Sequence, residues 1–164
     1  MSFLRFAALL ILGVWIGGLV ALGGIAAPNI FETLQTVDPL AGRDTAGRVF
    51  GAILNQFQRV SWVLAGLLML LMFTRRILGP PPRGFNLRFL GLMVMLGISL
   101  TTALVIAPRI AQIRDATSGS IANLAEDDAR KLQFGRLHGW SNGLMLVSLL
   151  TGVGLFWAET RDLH

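Results

Sequence analysis

Four long apolar segments constrain this chain more than any other feature. They lie at about residues 3–27, 49–73, 88–107 and 137–158, and a helix crosses a bilayer with roughly 20 apolar residues. Hydrophobic residues make up 54% of the chain and charged residues 14%, whereas a soluble domain carries about 25% charge. The sequence therefore predicts an all-α membrane protein, a four-transmembrane-helix bundle that forms one domain over residues 1–164.

The first apolar segment has a second interpretation as a signal peptide, because Arg5 precedes it and small residues precede Pro28. The apolar run is longer than a signal-peptide core of 7–15 residues, so we expect a retained span. Pro28 and Pro108 each follow an alanine at the end of an apolar span. The residue before a proline is disfavoured in helical geometry, and we expect both prolines to end their helices.

The distribution of charge predicts the orientation in the membrane. Residues 75–88 form a short connection with four arginines and no acidic residue, which is typical of a cytoplasmic loop. Both termini are then cytoplasmic, and the polar tail at residues 159–164 is expected to be frayed. The net charge is +5, but the basic residues flank apolar spans, so we expect the bilayer as partner and no nucleic acid. The predicted location is a bacterial inner membrane.

The second half of the chain repeats short patterns of the first half. Residues 26–30 (AAPNI) match residues 106–110 (IAPRI), and Phe50-Gly51 matches Phe134-Gly135. Two helices separate the copies, so both copies share one orientation. The pattern predicts a tandem helical-hairpin repeat related by a pseudo-twofold axis along the membrane normal.

Polar residues gather where the first and third helices end and the second and fourth begin, all on one side of the membrane. We expect a cluster there of His138, Arg59, Arg109, Glu32, Asn55 and Asn142. Glu32 is the expected counter-charge for Arg59 or Arg109. On the second helix Asn55, Arg59 and Trp62 share one face, as do Gln58 and Ser61, and we expect this face to point inward. Two interpretations are open: an outward-facing polar pocket with His138 as a titratable or ligating centre, or an interhelical hydrogen-bond cluster with arginines extended to the headgroups.

The inventory of reactive side chains limits the chemistry. The chain has no cysteine, which removes disulfides and thiolate metal sites. Weak candidates for a soft-metal site are Met69, Met72, Met93 and Met95, although methionine also fills gaps in apolar packing. His138 is a possible axial ligand of a tetrapyrrole, and His164, the other histidine, is expected at the opposite surface. No acid is placed to orient His138 toward Ser141, so an enzyme is not expected.

Two GxxxG patterns bear on assembly. Gly13 and Gly17 form one on the first helix, and Gly139 and Gly143 form another on the fourth. Small residues at this spacing let helix backbones approach closely. They predict either packing of the first helix against the fourth within one chain, or self-association or association with other membrane subunits.

Four segments in the same order, AAPNIF (26–31), AGRVFGAILNQF (46–57), APRI (107–110) and FGRLHGWSN (134–142), resemble the transmembrane-protein-205-like family, the bacterial domain of unknown function 4149. The resemblance implies a four-helix membrane protein, distantly similar to copper-resistance membrane domains and haem-associated membrane oxidases. Its animal members are linked to platinum-drug resistance, which implies soft-metal handling. The matched positions of interest are Pro28, Phe31, Gly51, Arg109, His138 and Gly139.

Taken together, these patterns favour a non-enzymatic accessory, scaffold or binding subunit of a bacterial inner membrane. The alternative is a membrane protein that handles a soft metal ion or binds a tetrapyrrole through His138.

Overall fold

The computed structural model describes residues 3–39, 41–79, 84–117 and 120–161. These residues form four long helices: α1 (Phe3–Val37), α2 (Gly42–Leu78), α3 (Phe85–Asp115) and α4 (Ala129–Arg161). A short 3₁₀ turn at Ile121–Asn123 precedes α4. Each long helix is apolar and long enough to cross a membrane, which confirms the predicted membrane-spanning helices. Residues 80–83, 118–119 and 162–164, including His164, lie outside the described residues.

The expectation that Pro28 and Pro108 end their helices is wrong. Each proline is instead the second residue of a further α-helical segment that follows a π-helical turn, at Ala21–Ala26 in α1 and Thr102–Ile106 in α3. The amide of Ala27 donates to the carbonyl of Leu22, and that of Ala107 donates to Thr102, each five residues back. A π turn widens the backbone spiral, so it accommodates the proline ring and the missing amide donor that would otherwise break the helix.

The helices pack in a ring in which α1 contacts α2 and α4, and α3 contacts the same two helices. One apolar core joins them, and its largest fully buried side chains are Trp15, Leu92 and Met95. Met69, Met72 and Met93 pack against this core. The core occupies the half of the bundle that contains residue 3 and residue 161, and it is continuous from α1 through α2 and α3 toward α4.

A buried charge cluster closes this end of the bundle, and we call it the charge clasp: Arg5, Arg75, Arg88 and Glu159, one residue from each helix. The Glu159 carboxylate pairs with Arg75 and, at 2.6 Å, with Arg88. Arg5 Nε donates to the Glu159 carbonyl at 2.9 Å, and Arg88 donates to the Ala158 carbonyl at 2.9 Å. The predicted frayed tail is therefore wrong for residues 159–161, because guanidinium groups satisfy the carbonyls that end α4.

At the opposite end, which we call the cavity end, two connections join the helices. The α1–α2 turn is tight, since the amide of Gly42 donates to the Asp38 carbonyl at 2.7 Å. Asp128 begins α4, where its carboxylate accepts from the backbone and the guanidinium of Arg130. These bonds lower the pKa of Asp128 to about 2, because hydrogen bonds to a carboxylate favour its charged form.

Candidate functional site

A cavity of about 1380 Å³ opens between the helices at the cavity end. All four helices line it, among them Pro28 and Phe31 of α1, Gly51 of α2, Ile106 of α3 and Gly135 of α4. At this end the segment Ala27–Val37 of α1 packs on α2, and Ala107–Asp115 of α3 packs on α4. The cavity therefore lies between two helical hairpins.

The floor of the cavity is polar although it lies among apolar spans. Gln58, Thr102 and Ser141 line both the main cavity and a smaller space of about 20 Å³ beneath it. In this lower space Ser99 donates to the side-chain oxygen of Gln58 and accepts from Trp62 Nε1 at 3.0 Å. A space of this size holds about one water molecule. The side chains shared by both spaces place hydrogen-bonding groups at the floor of the main cavity.

The rim of the cavity is charged. Its basic side chains are Arg43, Arg48, Arg114 and Lys131, and its acidic ones are Asp44, Asp115 and Glu126. Lys131 pairs with Glu126 at 2.9 Å, and Arg48 lies 3.8 Å from Asp115 with both side chains exposed. Exposed ion pairs contribute little to stability. With four basic and three acidic side chains, the rim has a surplus of one positive charge.

Arg114 differs from the other rim residues because part of its guanidinium is shielded from solvent. Its Nε is buried and has no hydrogen-bond partner within the part of the chain that the structure describes. The guanidinium carbon lies 5.9 Å from the centre of the Phe134 ring. A Cβ added at Gly47 would lie 2.6 Å from Nη2 of Arg114, so glycine at this position gives the arginine its room between α2 and α4.

The structure divides the predicted polar cluster into two groups. His138, Asn55 and Asn142 line the cavity. The other three residues, Arg59, Arg109 and Glu32, are exposed outside its wall.

Two details of the predicted cluster are wrong. Arg59 is exposed and does not point inward, whereas Gln58 and Ser61 are buried as expected. The expected ion pair of Glu32 with Arg59 or Arg109 is absent from residues 3–39, 41–79 and 84–117. The role of the whole cluster as a site stays a prediction.

His138 stands on the cavity wall with its imidazole exposed. Its ring stacks on that of Phe134, with centroids 6.1 Å apart and an interplanar angle of 3°. The ring is thus held by an aromatic neighbour one helical turn away. Ligation of a cofactor by His138 stays a prediction.

The candidate metal ligands lie elsewhere. Met69, Met72, Met93 and Met95 belong to the apolar core near the clasp end. The described residues contain no group of three histidine, cysteine, aspartate or glutamate side chains able to hold a metal ion. Packing accounts for the four methionines, and the methionine metal site remains an untested hypothesis.

The glycine patterns face outward. A Cβ added at Gly13, Gly17, Gly139 or Gly143 would meet open space, and all four residues are exposed. They are therefore not the contact between α1 and α4 in this chain. Close approach of these helices uses Gly152, where an added Cβ would lie 3.0 Å from the Ile16 side chain. Self-association through the four exposed glycines stays a prediction.

Sequence reasoning missed Arg114 and Glu159. Arg114 looked like one of many basic residues in a polar loop, and its neighbour Gly47 was not singled out. Glu159 was assigned to a polar tail, although it is the single acid in the final helix beyond residue 128. A lone acid at the end of an apolar span, opposite several arginines, was the available signal for a buried ion pair.

The four apolar helices indicate a multi-pass α-helical membrane protein, with a cavity between its two hairpins. More particularly, the chain belongs to the family of the domain of unknown function DUF4149, whose pattern matches residues 10–118. The match covers most of α1, all of α2 and α3, and ends before α4. Neither a curated protein nor a solved structure matches the chain.

Proposed function

We propose that this protein is a non-enzymatic binding subunit of a bacterial inner membrane, and that it acts by holding a ligand in the cavity between its two hairpins. The cavity carries this proposal. It has a charged rim, a polar floor and walls from all four helices, which is the combination of shape and few polar groups that binding sites share.

The closed clasp half supports binding rather than conduction. Below the polar floor lie the fully buried side chains of Trp15, Leu92 and Met95, and beyond them the charge clasp. A permeating solute would have to cross both layers. The cavity is therefore blind in this conformation and suits a ligand that enters and leaves by the same side.

Narrowing the cavity from two walls tests the proposal. Gly51 on α2 and Gly135 on α4 both line the cavity, and an added Cβ at either meets open space, so the double variant Gly51→Trp, Gly135→Trp is expected to narrow the cavity. The matched control is Gly66→Trp, Gly154→Trp, which alters the same two helices at open positions outside the cavity.

The measurement is native mass spectrometry of protein extracted gently from its own membranes. Wild type and the control are expected to carry a bound molecule of constant mass, and the cavity variant is expected to lose it. A bound molecule retained at wild-type level by the cavity variant, or absent from all three proteins, would contradict the proposal.

A tetrapyrrole held by His138 is the second candidate, and the observation that favours it is the exposed imidazole on the cavity wall. A single histidine ligand suffices for a five-coordinate haem or a chlorophyll. The visible absorption spectrum of the same preparation tests it. A Soret or chlorophyll band that disappears in His138→Ala supports this candidate, and a flat spectrum removes it.

The orientation and the repeat are further parts of the proposal. A cytoplasmic clasp end is supported by its described charges, five arginines (Arg5, Arg75, Arg76, Arg88 and Arg161) against Glu159, in line with the positive-inside rule. The tandem repeat is supported by the same local structure at both matched sites, a π turn followed by Ala-Pro and a continuing helix.

A further inference from the structure

We propose that the ligand of this cavity is an anionic amphiphile, a molecule with a phosphate or carboxylate head group and a hydrocarbon chain, and that Arg114 receives the head group. The inference rests on the proposed binding function and names the chemistry of the ligand. Four observations support it: the positive charge of the rim, the guanidinium of Arg114 at the cavity, the depth of Arg114 in the membrane, and the apolar cavity walls below Arg114.

The rim favours a negative charge. After Lys131 pairs with Glu126 and Arg48 with Asp115, Arg43 and Arg114 face the single carboxylate of Asp44 among the charged residues that line the cavity. The surplus of one positive charge lies at the mouth of a cavity with largely apolar walls, where charges are screened less than on an open surface. One anionic group is the complement of this arrangement.

Arg114 supplies the donor that this anion requires. Arg114 lines the cavity and is partly exposed, whereas its Nε is covered by protein atoms. An anion in the cavity therefore meets Arg114 through the terminal guanidinium nitrogens. These form a fork that matches two oxygens of a phosphate or carboxylate.

The depth of Arg114 matches a lipid headgroup. Arg88 in the charge clasp and Arg114 lie on the same helix α3, and about 39 Å of helix separate them at 1.5 Å per residue. A bilayer is roughly 40–45 Å thick including its headgroups. With the clasp at one interface, Arg114 therefore lies at the headgroup level of the other.

Apolar walls continue from Arg114 toward the floor. Phe31, Leu54, Ile106 and Met145 line this part of the cavity, and they give a hydrocarbon chain the apolar contact that a free inorganic anion would not use. The volume of about 1380 Å³ exceeds the roughly 300–1,000 Å³ of pockets for small molecules. The size and the apolar walls point to an acyl chain below an acidic head.

The test is a titration of the detergent-purified protein with three probes, followed by native mass spectrometry: dioctanoyl phosphatidic acid, dioctanoyl phosphatidylcholine and inorganic phosphate. The variants are Arg114→Gln, Arg114→Lys, the double variant Gly51→Trp, Gly135→Trp and the matched control Arg109→Gln. Arg109 lies on α3 as well, but it is exposed outside the cavity wall. Arg114→Lys keeps the charge and removes the guanidinium fork, so it reports on the site if Arg114→Gln folds poorly.

Phosphatidic acid is expected to bind wild type and Arg109→Gln in a saturable manner, at least tenfold more tightly than phosphatidylcholine. Arg114→Gln is expected to raise its Kd by about 10- to 100-fold, as loss of a hydrogen bond to a charged group does, and Arg114→Lys by a smaller factor. Inorganic phosphate is expected to show no binding and no competition.

Three outcomes overturn the inference. Equal binding of the two lipids, unaffected in Arg114→Gln but lost in the Gly51→Trp, Gly135→Trp variant, would leave the binding function standing with a neutral ligand. Competition by inorganic phosphate at similar concentrations would identify a free anion as the ligand. Phosphatidic acid binding that persists in the Gly51→Trp, Gly135→Trp variant would place the lipid outside the cavity.

Discussion

Replacing Glu159 with glutamine removes the single carboxylate of the charge clasp and keeps the shape of the side chain. The Glu159 side chain is 7% exposed, and its partners Arg75 and Arg88 are 16% and 9% exposed. Removing one partner of a buried ion pair costs about 3–5 kcal/mol. We expect the lower end, about 3 kcal/mol, because the amide oxygen still accepts one bond and the bonds from Arg5 and Arg88 to backbone carbonyls remain.

Reversible unfolding in mixed detergent micelles, followed by helical circular dichroism, measures this cost. A loss of about 3 kcal/mol corresponds to roughly a hundredfold change in the folding equilibrium. Glu32→Gln is the control, since Glu32 is exposed and makes no ion pair within the described residues, and its stability should stay within about 0.5 kcal/mol of wild type. If Glu159→Gln were as stable as Glu32→Gln, the clasp would not hold the four helices together.

Two further predictions concern the cavity end. Gly42→Ala is expected to lower stability by at least about 2 kcal/mol in the same assay, because its Cβ would lie 2.0 Å from the Leu34 carbonyl oxygen, whereas Gly51→Ala meets open space and should be neutral or stabilising. The pKa of Asp128 is lowered to about 2 by hydrogen bonds from Arg130, so its contribution is complete above pH 3.8 and is lost as the pH falls toward 2. Asp128→Asn should therefore be less stable than wild type at pH 6, and the difference should shrink by pH 2.

The helices were predictable because a lipid environment permits few backbone structures. A membrane span must satisfy every backbone hydrogen bond internally, so the apolar runs alone predict four helices. The two prolines were not predictable from local geometry. The rule that a proline ends a helix assumes α-helical spacing, and the π turns before Pro28 and Pro108 change that spacing.

The position of the cavity was predictable, but the residues that line it were not. Antiparallel spans place the polar residues of four helix ends on one side, and a cavity is found there. Which side chains face it depends on helix rotation, and adjacent residues differ by about 100°. Gln58 therefore faces the floor while Arg59 faces outward. Helical periodicity groups Gln58 with Ser61 and Arg59 with Asn55, but it does not say which group is buried.

The separation of the clasp end from the cavity end also decides how variants are interpreted. The largest fully buried side chains, Trp15, Leu92, Met95 and Ser61, lie between the cavity floor and the clasp, so most of the packing that holds the fold lies outside the main cavity. Substitutions at open glycines on the cavity wall leave that core intact. A cavity variant that loses its ligand but unfolds like wild type therefore reports on binding. A clasp variant is expected to lose stability while its cavity walls stay unchanged in the folded state.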